Sequence, residues 1–213
     1  MERMELSVLC RLCLQREAWL RLGRYCAIPC RWLLTVLTIC CCLVGISAAD
    51  EPVTPEYKLK AALIYKLTHF VSWPEWAYKN GSDRNEYFSI CILGDNVFGD
   101  LLEPLRKREV KGIPINIRYY GQSEDINRYC QLLYISDSKS AFTREILQRF
   151  KRQATLTISD INQFASQGGM IELTQGNNKI GFTINPKIAR RQGLSIAAPL
   201  LELANITESD HEP

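Results

Sequence analysis

Four short apolar runs constrain this chain more than any other feature: Tyr87 to Leu93 (YFSICIL), Ile113 to Tyr120 (IPINIRYY), Gln131 to Ile135 (QLLYI) and Ala154 to Ile158 (ATLTI). Runs of this length, rich in β-branched and aromatic residues, read as strands. Three of them end on similar polar signals, Gly94-Asp95-Asn96, Ser136-Asp137-Ser138 and Ser159-Asp160. Asp, Asn and Ser there are suited to cap a following helix. Helices are expected from Asp95 or Asn96 to about Arg108, with Pro104 near an end or at a bend, and from about Ser140 to Arg152; a brief turn follows Asp160. Strands alternating with helices imply an α/β fold: a mostly parallel sheet with helices on both faces. Met170 to Leu173 and Ile180 to Ile184 flank the turn Gln175-Gly176-Asn177-Asn178. They predict a C-terminal β-hairpin at one edge of the sheet. A last helical region runs from Pro186 to about Ala204, divided by Gly193 and Pro199.

Ahead of the strands, Thr54-Pro55-Glu56 has the makings of a helix start. It supplies a capping hydroxyl, a proline in the first turn and an acid near the positive end of the dipole. Leu59, Leu63, Leu67 and Phe70 form the expected core-facing stripe, with Ile64 and Val71 beside it and Lys58, Lys66 and His69 opposite. Trp73-Pro74 reads as the stop, since the residue before proline avoids helical geometry. Trp73, Trp76 and Tyr78 are the candidate partner-binding residues. Trp76 and Tyr78 lie beyond the stop, either packed on the sheet or left exposed for a partner.

The N-terminal part differs in kind. Trp32 to Gly45 (WLLTVLTICCCLVG) holds fourteen apolar or small residues without a charge. A membrane span wants about 20 residues, so the run fits the h-region of a signal peptide. Six arginines precede it, and Ser47 and Ala49 are small at the −3 and −1 positions. Residues 1–49 are therefore expected to be a signal peptide, cleaved after Ala49, with residues 50–213 forming one exported domain. An uncleaved anchor is the alternative. The net charge of +3 belongs to the leader, because residues 50–213 carry twenty basic and twenty acidic side chains. A nucleic-acid surface, which needs a clustered basic face, is not expected. Of nine cysteines only Cys91 and Cys130 lie beyond residue 49. In an exported domain they read as one disulfide, the alternative being two buried free thiols.

Candidate chemistry is sparse. Asp95, Asp137 and Asp160 would meet if the strand ends held a divalent cation, but capping explains them better. His69 has no ligand or triad partner at useful spacing, and His211 lies in the tail. No G-x-S-x-G elbow, P-loop or G-x-G-x-x-G is present. Neither a catalytic site, a metal nor a cofactor is expected. Arg190 and Arg191, with Lys187 on the same helix, are the best candidate anion-binding residues, and Arg106-Lys107-Arg108 the second. A solvated helix face is the simpler account of both.

Several motifs together resemble the YfiR family. They are Lys60-Ala61-Ala62-Leu63-Ile64-Tyr65-Lys66-Leu67 with Phe70-Val71-Ser72-Trp73-Pro74, then Ile90-Cys91-Ile92-Leu93-Gly94-Asp95, then Cys130 to Ser136. Ile180 to Asn185, Ala189-Arg190, Gly193-Leu194 and Leu200 to Ala204 complete the set. The resemblance spans residues 56 to 206. It implies a periplasmic α/β protein of a Gram-negative bacterium, often a homodimer. It further implies a regulator that binds the periplasmic domain of an inner-membrane diguanylate cyclase and holds it inactive, lowering cyclic-di-GMP and biofilm formation. A periplasmic small-molecule sensor acting on a sensor kinase or transport system is the alternative. Cys91 and Cys130 match the family's disulfide positions. Some members carry a second pair near the C-terminal third; this chain has Ala165 and Glu172 in that region and no further cysteine, so a second-disulfide redox switch is not supported.

Overall fold

Strand β2 (Phe88–Leu93) is the axis of the fold, buried along its whole length. Phe88, Ile90 and Ile92 point into one apolar layer, and Cys91 and Leu93 into another. Successive side chains of a strand face opposite ways, so a strand covered on both faces is largely apolar; Ser89, the one polar residue of β2, is itself buried. The computed structural model describes residues 55–78, 87–126, 129–176 and 179–208. These lie within one unit, Pro52–Pro213. The expected signal peptide and its cleavage site lie outside the described residues.

Around β2 stand β3 (Glu109–Val110), β4 (Ile113–Tyr120), β5 (Leu132–Ile135), β6 (Leu156–Ser159), β7 (Ile171–Gly176), β8 (Lys179–Ile184) and β10 (Asn205–Ile206). The sheet order is β10-β8-β7-β6-β5-β2-β4-β3. Strands β4, β2, β5, β6 and β7 run parallel. The hairpin β7–β8 is antiparallel, in register from Ile171 opposite Ile184 to Gly176 opposite Lys179. It does not end the sheet: β10 adds outside β8, parallel to it. At the other edge β3 pairs antiparallel with β4. Each outermost strand is two residues long, and short edges limit pairing with other chains.

Helix α1 (Pro55–Phe70) covers the face with the larger core, and α2 (Thr143–Phe150) covers the other through Ile146, Leu147 and Phe150. Helices α3 (Pro186–Arg191) and α4 (Ala198–Glu202) follow the hairpin. Buried Asn185 caps α3, its Oδ1 accepting from the Ile188 N–H at 3.2 Å. Between α1 and the main sheet's first strand, β1 (Val71–Ser72) pairs antiparallel with β9 (Ser195–Ile196).

The phase of α1 differs from the expected stripe. Lys60, Ala61, Ile64, Leu67 and Thr68 face the core, while Leu59 is 50% and Phe70 38% exposed. Apolar and charged residues interleave along this helix without a clean stripe, so periodicity alone left its rotation open. Buried Lys60 finds an acid inside. Nor is Trp73-Pro74 the stop. The helix ends at Phe70, whose carbonyl accepts from the Ala197 N–H at 2.8 Å as the chain enters β1. Pro74 instead opens the 3₁₀ turn Glu75–Tyr78. The expected helix after Asn96 is likewise 3₁₀, over Gly99–Lys107, with Pro104 inside it. That proline has no N–H to give an α ladder.

Candidate functional site

The strand order reverses beside β2: β4 lies on one side of it, β5, β6 and β7 on the other. In open α/β sheets ligands bind at such a reversal, outside the carboxyl ends of the strands. Here the gap between β2 and β5 is filled by the chain itself. Gly94 follows β2 with φ +96°, and a Cβ built on it would lie 2.5 Å from the Ser138 Oγ. The same hydroxyl accepts from the Asp95 N–H at 2.9 Å, and the Ser136 N–H donates to the Leu93 carbonyl. Asp95 and Asp137 flank this closure, and Asp137 opens the 3₁₀ turn Asp137–Phe142.

Asp160 is engaged elsewhere. It follows β6, and its Oδ2 accepts from Lys60 Nζ at 2.6 Å while its Oδ1 accepts from the Tyr134 hydroxyl at 2.7 Å. The Tyr57 hydroxyl reaches Oδ2 at 3.4 Å. Lys60 also pairs with Glu56, one turn earlier on α1. This lysine is only 3% exposed. Burial works against its ammonium, yet the hydrogen bonds to Asp160 and Glu56 outweigh it and hold its pKa above the usual lysine value. Burial, then the negative charge of Asp160, push the Tyr134 phenol far up and the Tyr57 phenol up. Both stay protonated donors. The three aspartates considered together in the sequence are thus split between a loop closure and an ion pair. Among the described residues no group of three His, Cys, Asp or Glu side chains is placed to hold a metal ion. His69 packs its ring edge-on against Tyr65 at 4.9 Å between centroids.

The network on Asp160 was missed in the sequence because Lys58, Lys60 and Lys66 interleave with apolar residues along α1, where a lysine reads as a solvated position. The one available signal was Glu56 four residues before it, the favourable helical spacing for an acid and a base.

Cys91 in β2 and Cys130 just before β5 form a disulfide, with Cα atoms 5.9 Å apart and both cysteines fully buried. Next to it, Gln131 organises the segment that carries the candidate partner aromatics. Its Oε1 accepts from the Ser89 N–H at 2.7 Å, its Nε2 donates to the Ala77 carbonyl at 3.0 Å, and its carbonyl accepts from Trp73 Nε1 at 2.9 Å. Trp73 is therefore a core residue, 5% exposed and edge-on to Phe88. Tyr78 is half-buried, with Lys111 Nζ 6.0 Å from its ring centroid, and burial raises its phenol pKa. Trp76 alone of the three presents much of its ring, at 49% exposure, tilted against Tyr129.

The candidate anion-binding arginines separate as well. Both are exposed in the last turn of α3, and Arg191 borders a cavity of about 290 Å³ shared with Lys151 and Arg152 after α2. Arg106, in the second basic group, is committed to Glu103 (2.6 Å), the Asn116 side chain (2.6 Å) and the Ile117 carbonyl (2.8 Å). In the C-terminal third, buried Glu172 accepts from the Ala165 N–H at 3.2 Å and the Gln163 N–H at 3.0 Å.

Fold and site define a disulfide-bonded α/β domain whose sheet ends are closed by structural side chains and whose exposed features include the aromatic corner at Trp76. The profile of the YfiR/HmsC-like family matches residues 57–205, and the chain belongs to that family. No curated protein matches the chain. Among the described residues, no helix is long and apolar enough to cross a membrane.

Proposed function

We propose that this chain is a periplasmic regulator that binds the periplasmic domain of an inner-membrane diguanylate cyclase and keeps it inactive. Membership of the YfiR/HmsC-like family over residues 57–205 carries the reading. Three further features support it. The N-terminal segment has the pattern of an export leader. The buried Cys91–Cys130 disulfide suits an oxidising compartment. The strand ends that host ligands in many α/β enzymes are occupied here by Gly94, Ser138 and the Lys60–Asp160 pair. Regulation by binding needs a surface rather than reacting groups, and Trp76 beside Tyr129 supplies an aromatic anchor of the kind that dominates interfaces.

Deleting the gene and measuring cellular cyclic-di-GMP tests the reading. The level rises several-fold on deletion and returns when the exported chain is restored. An unchanged level in cells that normally export the protein would overturn it.

A further inference from the structure

We infer that Gln131 is the positioning residue of the aromatic corner: by clamping the turn that carries Trp76, it holds that ring on Tyr129 in the orientation a partner meets. The inference rests on the proposed binding of a cyclase domain through Trp76, and it names what sets the geometry of that surface. Trp76 lies in the 3₁₀ turn Glu75–Tyr78, where the Ala77 N–H donates to the Pro74 carbonyl at 2.9 Å. A single 3₁₀ turn has poor hydrogen-bond geometry of its own, so its orientation on the domain comes from outside. Gln131 supplies it. Its Nε2 donates to the carbonyl of fully buried Ala77, between Trp76 and Tyr78, at 3.0 Å. Its Oε1 accepts from the Ser89 N–H at 2.7 Å, so the carboxamide is held at both ends. Its backbone is fixed too. The Gln131 N–H donates to the Ser89 carbonyl at 3.0 Å, and the Gln131 carbonyl accepts from the Leu156 N–H and from Trp73 Nε1, each at 2.9 Å.

The other half of the corner is set by the same segment. Tyr129, two residues before Gln131, carries the ring against which Trp76 tilts, with centroids 6.4 Å apart and 59° between the planes. Its hydroxyl donates to the Ala154 carbonyl at 2.5 Å. One residue thus supplies the supporting ring, and the other holds the turn that brings Trp76 onto it. The buried Ser89 N–H needs only an acceptor; the donor arm, reaching a residue 54 positions away in the chain, is what ties the turn to the sheet. Buried polar groups with every partner in place specify one arrangement. An anchor already held in its bound arrangement loses less freedom when a partner docks.

The test labels the exported protein with 5-fluorotryptophan, reads its fluorine resonances, and measures affinity for the cyclase's periplasmic domain by calorimetry. Trp76→Phe assigns the Trp76 line, and Tyr129→Leu gives its position without the supporting ring. Gln131→Met and Gln131→Leu, which fill the site without a donor or an acceptor, move the Trp76 line toward that position. Each weakens binding at least about tenfold, as loss of an anchor does. In the Trp76→Ala background the same substitutions weaken it by less than about twofold, because both act through one ring. A merely structural role gives the opposite pattern: the Trp76 line of the folded variants stays at the parent's position, and affinity falls equally with and without Trp76. Either of those results, or failure of both Gln131 variants to fold, overturns the inference. If the parent does not bind the cyclase domain, the reading of function fails, and the fluorine line by itself decides whether Gln131 positions Trp76.

Discussion

Lys60 shows how much one buried charge organises. It is buried on the core side of α1, where Asp160 and Glu56 receive its ammonium and Tyr134 and Tyr57 complete the shell around Asp160. Breaking a buried pair by removing one partner costs about 3–5 kcal/mol, because the other charge is left uncompensated. Lys60→Met is therefore expected to lose about 3 kcal/mol in urea unfolding, with Lys60→Met/Asp160→Asn recovering part of the loss. The sign of the pH dependence follows from the raised Lys60 pKa. A raised folded pKa stabilises fully below the unfolded value and is lost as pH rises through the folded one, so stability declines above about pH 10.4. The raised pKa values of Tyr57 and Tyr134 act in the same window. Lys60→Met should show a shallower alkaline decline; an identical slope would remove Lys60 as its source. Glu172 works on the same scale through the backbone: its two oxygens hold the Gln163 and Ala165 N–H groups of the loop before β7. This carboxylate-to-backbone bridge is insensitive to reductant.

At the scale of elements, the disulfide matters most. It joins β2 to the start of β5, 39 residues on. The chain-entropy model values closing a loop of that size at about 4 kcal/mol. Cys91→Ser should lower the melting temperature of the non-reduced protein by about 10 °C, given roughly 2–4 °C per kcal/mol for a chain of this size. Because both sulfurs are buried, reductant added to the folded parent should act only as fast as the protein unfolds. A variant that melts with the parent would remove the structural role. Strands were the most legible elements. Ile113 to Tyr120 forms β4 as read, since its pattern and its flanking glycines agree. The turn structures were less legible. A 3₁₀ turn and an α-helix share capping residues and similar spacing, and Gly99–Lys107 became 3₁₀ through Pro104 and the packing around Leu102. Strands β1 and β9 have two residues each and no period to detect. They exist because the chain after α1 meets the chain after α3.

The whole molecule decides which aromatics a partner can reach. Trp73 and Trp76 are three residues apart, yet Gln131 draws the first into the core and the second stays at the surface. Trp76→Ala should leave the melting temperature within about 2 °C of the parent, as surface substitutions do. Affinity for the cyclase domain, measured by calorimetry, should fall at least tenfold, the behaviour of an exposed aromatic anchor. Trp73→Ala should instead destabilise by about 3–5 kcal/mol through lost core packing. Unchanged affinity in Trp76→Ala would move the interface elsewhere. Of the candidate sites, the arginine pair was legible as charge, but the cavity beside Arg191 was not. Its other walls come from Leu147 to Arg152 and Gly168, far away in the chain.

By itself the sequence determined the α/β class, the longer strands of the sheet, the closing hairpin and the family. These rest on local periodicity, capping and motifs, all written within a few neighbouring residues. Tertiary structure alone decided the rotation of α1, the partners of Lys60, the burial of Trp73 and the convergence of two helix ends on one cavity. Each of those depends on which distant segment supplies the opposing surface or charge. The choice is made by packing the whole chain, where an apolar face must be covered and a buried charge paired.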